Sequence, residues 1–352
     1  MSIIEALGNV KSAAKYKTRS GDSFVIPTGS FAIDHGLLPK GGIPTGSLVQ
    51  LSGWESSGKT TLAMNVAKNA LSMGGLVVLK DTEHWESYRM EQVGIDVQKY
   101  IDSGHLIQLK DDRFMEEYFA TFIKMLDEVR RSKDPVEIPI LFILDSVALT
   151  STESQYENVK AGKEAPIAIR ARVLSGALAV LEDYVSDLPV SIIFVNQFRT
   201  AFETRGWKTV VEDRVTGGNA IKYAGHLHIS LKAKKDYELN NLVVGKITEA
   251  KLEKNKVGFP DRKIDMLSYF NGTYGDWYVL HEKGIAYGII KQAGSWYTYR
   301  DSKWQGMDRM FSTISKEDYE ALKLAIIAKW EEEFDFLNKV GKELPGAFNE
   351  EE

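Results

Sequence analysis

The chain contains no cysteine, no long apolar run and no overall basic excess, and each absence argues against a kind of site or a class of protein. Without cysteine there are no disulfides, thiolate metal sites or cysteine nucleophiles, and a reducing compartment fits. No run approaches the ~18 apolar residues of a membrane helix, and the first residues lack a secretory signal pattern, so we expect a cytoplasmic protein. The net charge of −5 argues against a protein that coats nucleic acid with its whole surface.

Strands and helices alternate through most of the 352 residues. The predicted strands are nearly all apolar, which is typical of a parallel sheet covered by helices on both faces. After residue 220 strand-rich segments dominate, and they predict an antiparallel extension at one edge of the sheet. The sequence therefore predicts an α/β fold with a mostly parallel central sheet, a short N-terminal helix and a small C-terminal α/β domain.

Residues 53–60 read GWESSGKT and fit the phosphate-binding pattern G-x-x-x-x-G-K-[ST]. They stand between a predicted strand (47–52) and a predicted helix (61–73), which is the context that this pattern requires. Lys59 is expected to reach the β- and γ-phosphates of a nucleotide, and the Thr60 hydroxyl to ligate Mg²⁺. A Gly/Ser-rich turn that matches by chance is the alternative. The predicted nucleotide-binding residues of this segment are Gly53, Glu55, Ser56, Ser57, Gly58, Lys59, Thr60 and Thr61.

Three polar residues follow other predicted strands at the points where those strands end. Asp145 fits the acid that holds Mg²⁺ through water, and Glu83 stands where a carboxylate could orient or deprotonate attacking water. Gln197 could donate to the γ-phosphate and report its presence to the segment that follows. Helix or turn capping is the alternative for both acids. Because ligands bind beyond the carboxyl ends of parallel strands, we expect these side chains to meet the phosphate loop.

A basic stretch with no clear period follows Gln197. Residues 198–235 contain eight Lys/Arg against three acids, and the loop predicted over 198–218 adds an aromatic ring, a combination suited to single-stranded nucleic acid. A second candidate loop, residues 154–166, contains Lys160 and Lys163. Solvated, mobile loops are the alternative for both. The candidate DNA contacts of the stretch after Gln197 are Arg199, Arg205, Trp207, Lys208, Arg214, Gly217, Gly218 and Asn219.

Taken in order and at their separations, several motifs in residues 28–299 resemble those of the bacterial RecA recombinases. The motifs are GWESSGKTTLA, DTEH, ILDSVALT, ARVLSGAL, FVNQFR, TGGNAIKY, KLEKNKVG and QAGSWYTY. The sequence resembles a phage-encoded or otherwise divergent member of that family. The resemblance implies an ATP-dependent filament on single-stranded DNA that pairs with homologous duplex and exchanges strands, with ATP and Mg²⁺ as cofactors.

The resemblance also implies roles for single residues. Glu83 would be the catalytic glutamate and Asp145 the Walker B acid, while Gln197 would couple the γ-phosphate to the second DNA-binding loop. Residues 154–166 would be the first DNA-binding loop, with Arg172 beside it. Lys254 and Lys256 would reach a neighbouring subunit's nucleotide. The implied divisions are a polymerisation helix with its linker (1–23), a RecA-like ATPase core (24–270), a small domain (271–340) and an acidic tail (341–352).

Some features depart from the family pattern or leave alternatives open. Trp54 stands where the family usually has proline, a change that we expect the loop to tolerate because its contacts are mostly backbone. The segment after Glu83 is one residue short, so either Tyr88 or Arg89 would pack on adenine. A ring-forming DnaB-like helicase and an ATP-switched DNA-coating scaffold are the alternative functions. Single-strand-binding or mediator proteins are further candidate partners.

Overall fold

The computed structural model describes residues 24–164, 167–205, 208–215 and 220–340. Within these ranges the protein is built around one large sheet. The predicted N-terminal helix with its linker (1–23) and the predicted acidic tail (341–352) lie outside the described residues. No helix in the described part of the chain is long and apolar enough to cross a membrane.

Short elements and helices alternate with strands through the first two thirds of the chain. In order they are β1 (Val25–Ile26), α1 (Phe31–Gly36), β2 (Ile43–Pro44), β3 (Ser47–Gly53), α2 (Lys59–Ser72), β4 (Leu76–Asp81), α3 (Ser87–Val93), α4 (Val97–Asp102), β5 (Leu106–Gln108), α5 (Met115–Arg131), β6 (Ile140–Asp145), a 3₁₀ turn (Val147–Leu149), α6 (Glu153–Lys160), α7 (Ile167–Asp187), β7 (Val190–Arg205), β8 (Lys208–Val215) and α8 (Ala220–Ala224).

The remaining elements are strand-rich at first and helical at the end. They are β9 (Leu227–Leu239), β10 (Leu242–Asn255), β11 (Lys263–Tyr269), α9 (Asp276–Ala286), β12 (Lys291–Ala293), β13 (Trp296–Tyr299), β14 (Ser302–Gln305), α10 (Met307–Thr313) and α11 (Lys316–Lys339).

The large sheet has nine strands in the order β11-β10-β9-β3-β7-β6-β4-β5, with β8 paired to β7 beside this path. From β9 to β5 all neighbouring strands are parallel. Strands β10 and β11 continue the sheet in antiparallel pairing. The predicted fold, a mostly parallel sheet with an antiparallel edge, is confirmed.

Both faces of this sheet are covered, which explains why its strands are apolar throughout. Alternate residues of a strand point to opposite faces. On one face Val49 and Leu51 join a cluster that includes Leu62 of α2. On the other face Leu48 joins a cluster formed mainly by α5 and α7, such as Phe122. Burial on two faces removes the polar alternation of a half-exposed strand.

Helix α11 packs against α1. Trp330 of α11 is 1% exposed, and its ring centroid lies 5.4 Å from that of Phe31 in α1. Both residues belong to the hydrophobic cluster that covers α2. Strands β12, β13 and β14 form a separate antiparallel sheet of three strands. The division into a core and a small domain near residue 271 stays a prediction.

The interpretation of residues 198–218 as a loop without regular structure is wrong for most of the described part. Strand β7 continues beyond Val195 to Arg205, and β8 folds back on it from Lys208 to Val215. Cross-strand pairing stabilises both halves of this hairpin, and the Thr, Val and Phe residues of the segment favour strands. A reading that weighed only the basic residues missed this pattern.

The interpretation of residues 154–166 as a loop is wrong for its first half, which lies in helix α6. The helix begins at a capping box. The Thr152 hydroxyl accepts from the Gln155 amide over 3.2 Å, and the Gln155 side chain accepts from the Thr152 amide over 3.1 Å. The T-x-x-Q spacing of these residues was a sequence signal for this helix.

Candidate nucleotide and DNA site

The phosphate loop joins β3 to α2, as predicted. Gly58, the N-cap of α2, has φ 93°, a left-handed conformation that favours glycine, and no side chain caps the helix there. The amides of the first helical turn are therefore available to an anion. A Cβ atom on Gly53 would collide with the Leu231 carbonyl oxygen and the Ser57 hydroxyl. Both glycines of the motif are thus required by the local geometry.

Lys59 points back into the loop. Its side chain is buried, and Nζ donates to the Trp54 carbonyl oxygen over 2.7 Å. Burial lowers the pKa of Lys59, while Glu83, Asp145 and Glu55 act in the opposite direction. The nearby carboxylates favour the charged form of this buried ammonium group, which can then bind a negatively charged phosphate.

Asp145 forms the polar centre of the site. It is fully buried, and its Oδ2 accepts from the Thr60 hydroxyl over 2.8 Å and from Trp85 Nε1 over 2.9 Å. Its Oδ1 has no hydrogen-bond partner among the described residues. Burial raises the pKa of Asp145 to about 6; the hydrogen bonds from Trp85 and Thr60 oppose this rise, and the charge of Glu83 adds to it. A buried carboxylate oxygen without a partner, beside a hydroxyl, fits a hard cation.

Glu83 and Gln197 meet beside this centre. Gln197 Nε2 donates to Glu83 Oε1 over 2.8 Å. Asp81 holds the turn that carries Glu83, since its Oδ1 accepts from the Glu83 amide over 3.0 Å. The strand register places Gln197 opposite Gly53, at the start of the phosphate loop. These strand ends meet at one site, as expected. The catalytic roles of the residues stay predictions.

A cavity of about 440 Å³ opens beside the phosphate loop. Arg89 lines it, and its guanidinium donates to the Phe270 carbonyl. Tyr88, the other candidate for adenine packing, is 68% exposed. The sequence reasoning missed the far wall of this cavity, because strand pairing alone brings its residues there: Lys246, Thr248, Ser268, Tyr269 and Phe270.

The candidate DNA-binding residues in the described part lie beyond the same edge of the sheet. Arg199 is exposed at the root of the β7–β8 hairpin, and Lys160, Lys163 and Arg172 are exposed on or near α6 and α7. Arg205, Lys208 and Arg214 belong to the hairpin strands. Outside the described residues lie Trp207, Gly217, Gly218 and Asn219.

The sequence reasoning also missed Arg170. Its Nη1 donates to the Ala148 carbonyl over 3.1 Å. Burial lowers the pKa of Arg170, and the positive charge of Arg199 contributes to the same shift. Arg170 therefore carries positive charge close to the hairpin root, and its position directly before the ARVLSGAL motif was the signal available in the sequence.

Lys254 lies near the end of β10 and Lys256 directly after it, away from the phosphate loop of their own chain. Lys254 pairs with His228, which pairs with Gln50 of β3, about 10 Å along the strand from the loop. Lys254 Nζ donates to the Lys222 and Tyr223 carbonyls over 2.7 Å each. Lys256 Nζ donates to the Ala224 carbonyl over 3.5 Å. Both ammonium groups thus sit at the end of α8, and the chain's own site does not include them.

The site combines a phosphate loop bounded by glycines, a buried acid beside the threonine of that loop, and a polar pair near the ends of neighbouring strands. This combination defines a P-loop nucleoside triphosphatase. A family model described as the RecA N-terminal domain matches residues 8–274.

Curated relatives support the same family. A protein RecA from Bacteroides thetaiotaomicron is 32% identical over 81% of this chain and 80% of its own length. A protein RecA from Helicobacter hepaticus is 28% identical over 88% and 84% of the two chains, and one from Porphyromonas gingivalis is 30% identical over 80% and 77%.

The chain belongs to the RecA family. Its expected function as an ATP-dependent DNA recombinase, a DNA-dependent ATPase with strand-exchange activity, is thereby confirmed. The helicase and scaffold alternatives are not favoured.

Proposed function

We propose that the protein assembles as a helical filament on single-stranded DNA, pairs that strand with homologous duplex, and hydrolyses ATP at sites completed by neighbouring subunits. The observation that carries this proposal is the hydrogen bond from Gln197 to Glu83 at the root of the basic hairpin. It connects a side chain suited to act on water with the segment suited to bind DNA.

Each polar residue of the site has a proposed role in hydrolysis. Glu83 orients or deprotonates the attacking water, and Lys59 stabilises the negative charge that develops on the phosphates. When ATP binds, Gln197 releases its hydrogen bond to Glu83 and donates to the γ-phosphate instead. Because Gln197 immediately precedes the hairpin, this exchange transmits the state of the nucleotide to bound DNA.

We propose that Mg²⁺ binds at Thr60 and Asp145. The hydroxyl and the carboxylate supply oxygen ligands, directly or through water, and Asp145 Oδ1 has no other partner in the described part of the chain. When bound, the ion neutralises charge on the phosphate oxygens. Arg89 is the proposed contact for the base, since it lines the cavity beside the loop.

The proposed neighbour contribution comes from Lys254 and Lys256, whose positions at the end of β10 lie away from the chain's own site. Residues 1–23 are proposed as the segment that joins subunits, residues 24–270 as the ATPase core and 271–340 as a small α/β domain. Single-strand-binding or mediator proteins are proposed further partners. The proposed location is the cytoplasm of a bacterial cell or a phage-infected host.

The test combines microscopy with hydrolysis assays. With single-stranded DNA and a non-hydrolysable ATP analogue, electron micrographs should show open helical filaments. ATP turnover should rise on adding single-stranded DNA, and this rise should weaken steeply with salt because binding releases counterions. Closed hexameric rings together with unwinding of a forked duplex would contradict the proposal and favour the helicase. Removing Mg²⁺ with a chelator should abolish turnover and be reversed by adding the ion back.

A further inference from the structure

The phosphate loop touches the hairpin through two aromatic rings. The ring centroids of Trp54 and Phe198 lie 6.4 Å apart with an interplanar angle of 64°, an edge-to-face arrangement. Trp54 is the second residue of the phosphate loop, and Phe198 is the residue after Gln197. We expected the loop to tolerate Trp54 because its contacts are mostly backbone, and the structure adds a side-chain contact with Phe198.

The same tryptophan is joined to the phosphate-binding lysine. The Trp54 carbonyl oxygen accepts a hydrogen bond from Lys59 Nζ over 2.7 Å. A phosphate bound by Lys59 would compete for the three N–H donors of that ammonium. A change in this bond would act on residue 54, whose ring contacts Phe198.

Phe198 is well placed to pass such a change to the DNA-binding segment. Its backbone pairs with Val215, the last residue of β8, so it lies at the base of the hairpin. A shift of Phe198 would be transmitted to β8 through this pairing, because closely packed segments transmit strain.

We infer that Trp54 is a positioning residue that couples the phosphate loop to the basic hairpin through Phe198, in parallel with Gln197. This inference rests on the proposed function, in which DNA bound at the hairpin stimulates hydrolysis. The two routes differ in their physical means. Gln197 responds through a hydrogen bond, whereas Trp54 responds through the packing of its ring against Phe198.

The experiment compares the ratio of DNA-stimulated to DNA-free ATP turnover in Trp54→Ala, Phe198→Ala and the double variant. Each single change should lower this ratio about three- to tenfold, the range expected for an aromatic pair. The double variant should lose no more than the larger single loss, because one contact is removed in all three. Trp54→Phe keeps a ring and should retain at least about half of the wild-type ratio.

A matched control is Trp296→Ala, which removes a tryptophan of similar exposure, 41% against 39% for Trp54, from the small three-stranded sheet. It should keep the wild-type ratio, and an equal loss there would overturn the inference. So would a wild-type ratio in Trp54→Ala, or losses that multiply in the double variant. Trp54→Leu replaces Trp54→Ala if circular dichroism shows that the alanine variant is unfolded. Absence of DNA stimulation in the wild type would instead contradict the proposed function on which the inference depends.

Discussion

Gln197 donates from Nε2 to Oε1 of Glu83 over 2.8 Å, although 114 positions separate the two residues along the chain. The contact exists because β4 and β7 run parallel in one sheet, on either side of β6, and both reach the same edge of it. A side chain suited to sense the γ-phosphate and a carboxylate suited to act on water therefore share one hydrogen bond.

We expect Glu83→Gln to abolish ATP turnover and to keep filament assembly. An amide can hold water but cannot take its proton, so turnover should fall about a hundredfold or more. Nucleotide binding by equilibrium dialysis and filaments by electron microscopy should persist. The control is Glu86→Gln, an exposed acid at the start of α3. Normal turnover in Glu83→Gln would remove Glu83 from the catalytic role.

The proposed role of Lys254 and Lys256, at the end of β10, can be tested by mixing defective subunits. We expect Lys254→Ala combined with Lys256→Ala to stay folded and to lose DNA-stimulated hydrolysis. If the site is completed by a neighbour, mixing this variant with Glu83→Gln should restore activity. In an equal random mixture about a quarter of the interfaces join an intact Glu83 to intact lysines.

The mixing experiment has its own control. Glu83→Gln mixed with Lys59→Ala should recover nothing, because both changes damage the same half of the site. A Lys254/Lys256 mixture that stays inactive, while each protein still enters filaments, would show that the lysines act within their own chain or only in folding.

Burial of Asp34 predicts a pH-dependent stability. Asp34 is 6% exposed and accepts from the Thr28 amide over 2.8 Å and the Gly29 amide over 3.2 Å. Burial raises the pKa of Asp34 from 3.8 to about 7 despite these hydrogen bonds, and the charge of Asp276 adds to the rise. Between these two values the folded protein keeps a proton that the unfolded chain has released, so raising the pH lowers the free energy of unfolding.

The measurement is urea unfolding of wild type and Asp34→Asn at several pH values between about 4 and 7, the interval between the two pKa values. Relative to the variant, the wild type should lose up to about 1.4 kcal/mol of unfolding free energy per pH unit. If the unfolding free energies of the two proteins changed with pH in the same way, Asp34 would be shown to stay ionised in the folded state.

Substitution of Trp330 tests whether α11 unfolds together with the core. Its ring is buried against Phe31, so Trp330→Ala should lower the free energy of unfolding by about 3–5 kcal/mol. The loss should appear in a single transition by circular dichroism and fluorescence if the two parts unfold together. Phe336→Ala on the same helix removes a ring that is 56% exposed and should cost much less. Two separate transitions would support an independent small domain.

The catalytic side of the site could be predicted because each of its residues follows a local pattern. The phosphate loop is contiguous, and Glu83, Asp145 and Gln197 each end an apolar strand. Parallel strands then bring those ends together whatever their separation in the chain. The far wall of the nucleotide cavity had no such signal, since Lys246 and Phe270 reach it only through the pairing of β10 and β11.

By itself, the sequence determined the phosphate loop, the alternation of strands and helices and the family, because spacing and residue type encode them locally. Only the tertiary structure decided that the basic segment pairs as a hairpin, that Arg89 lines the cavity, and that Trp54 meets Phe198. These relationships depend on strand register and on which side chains fill the same space. Contacts of that kind are set by packing between distant segments, which no local pattern in either segment records.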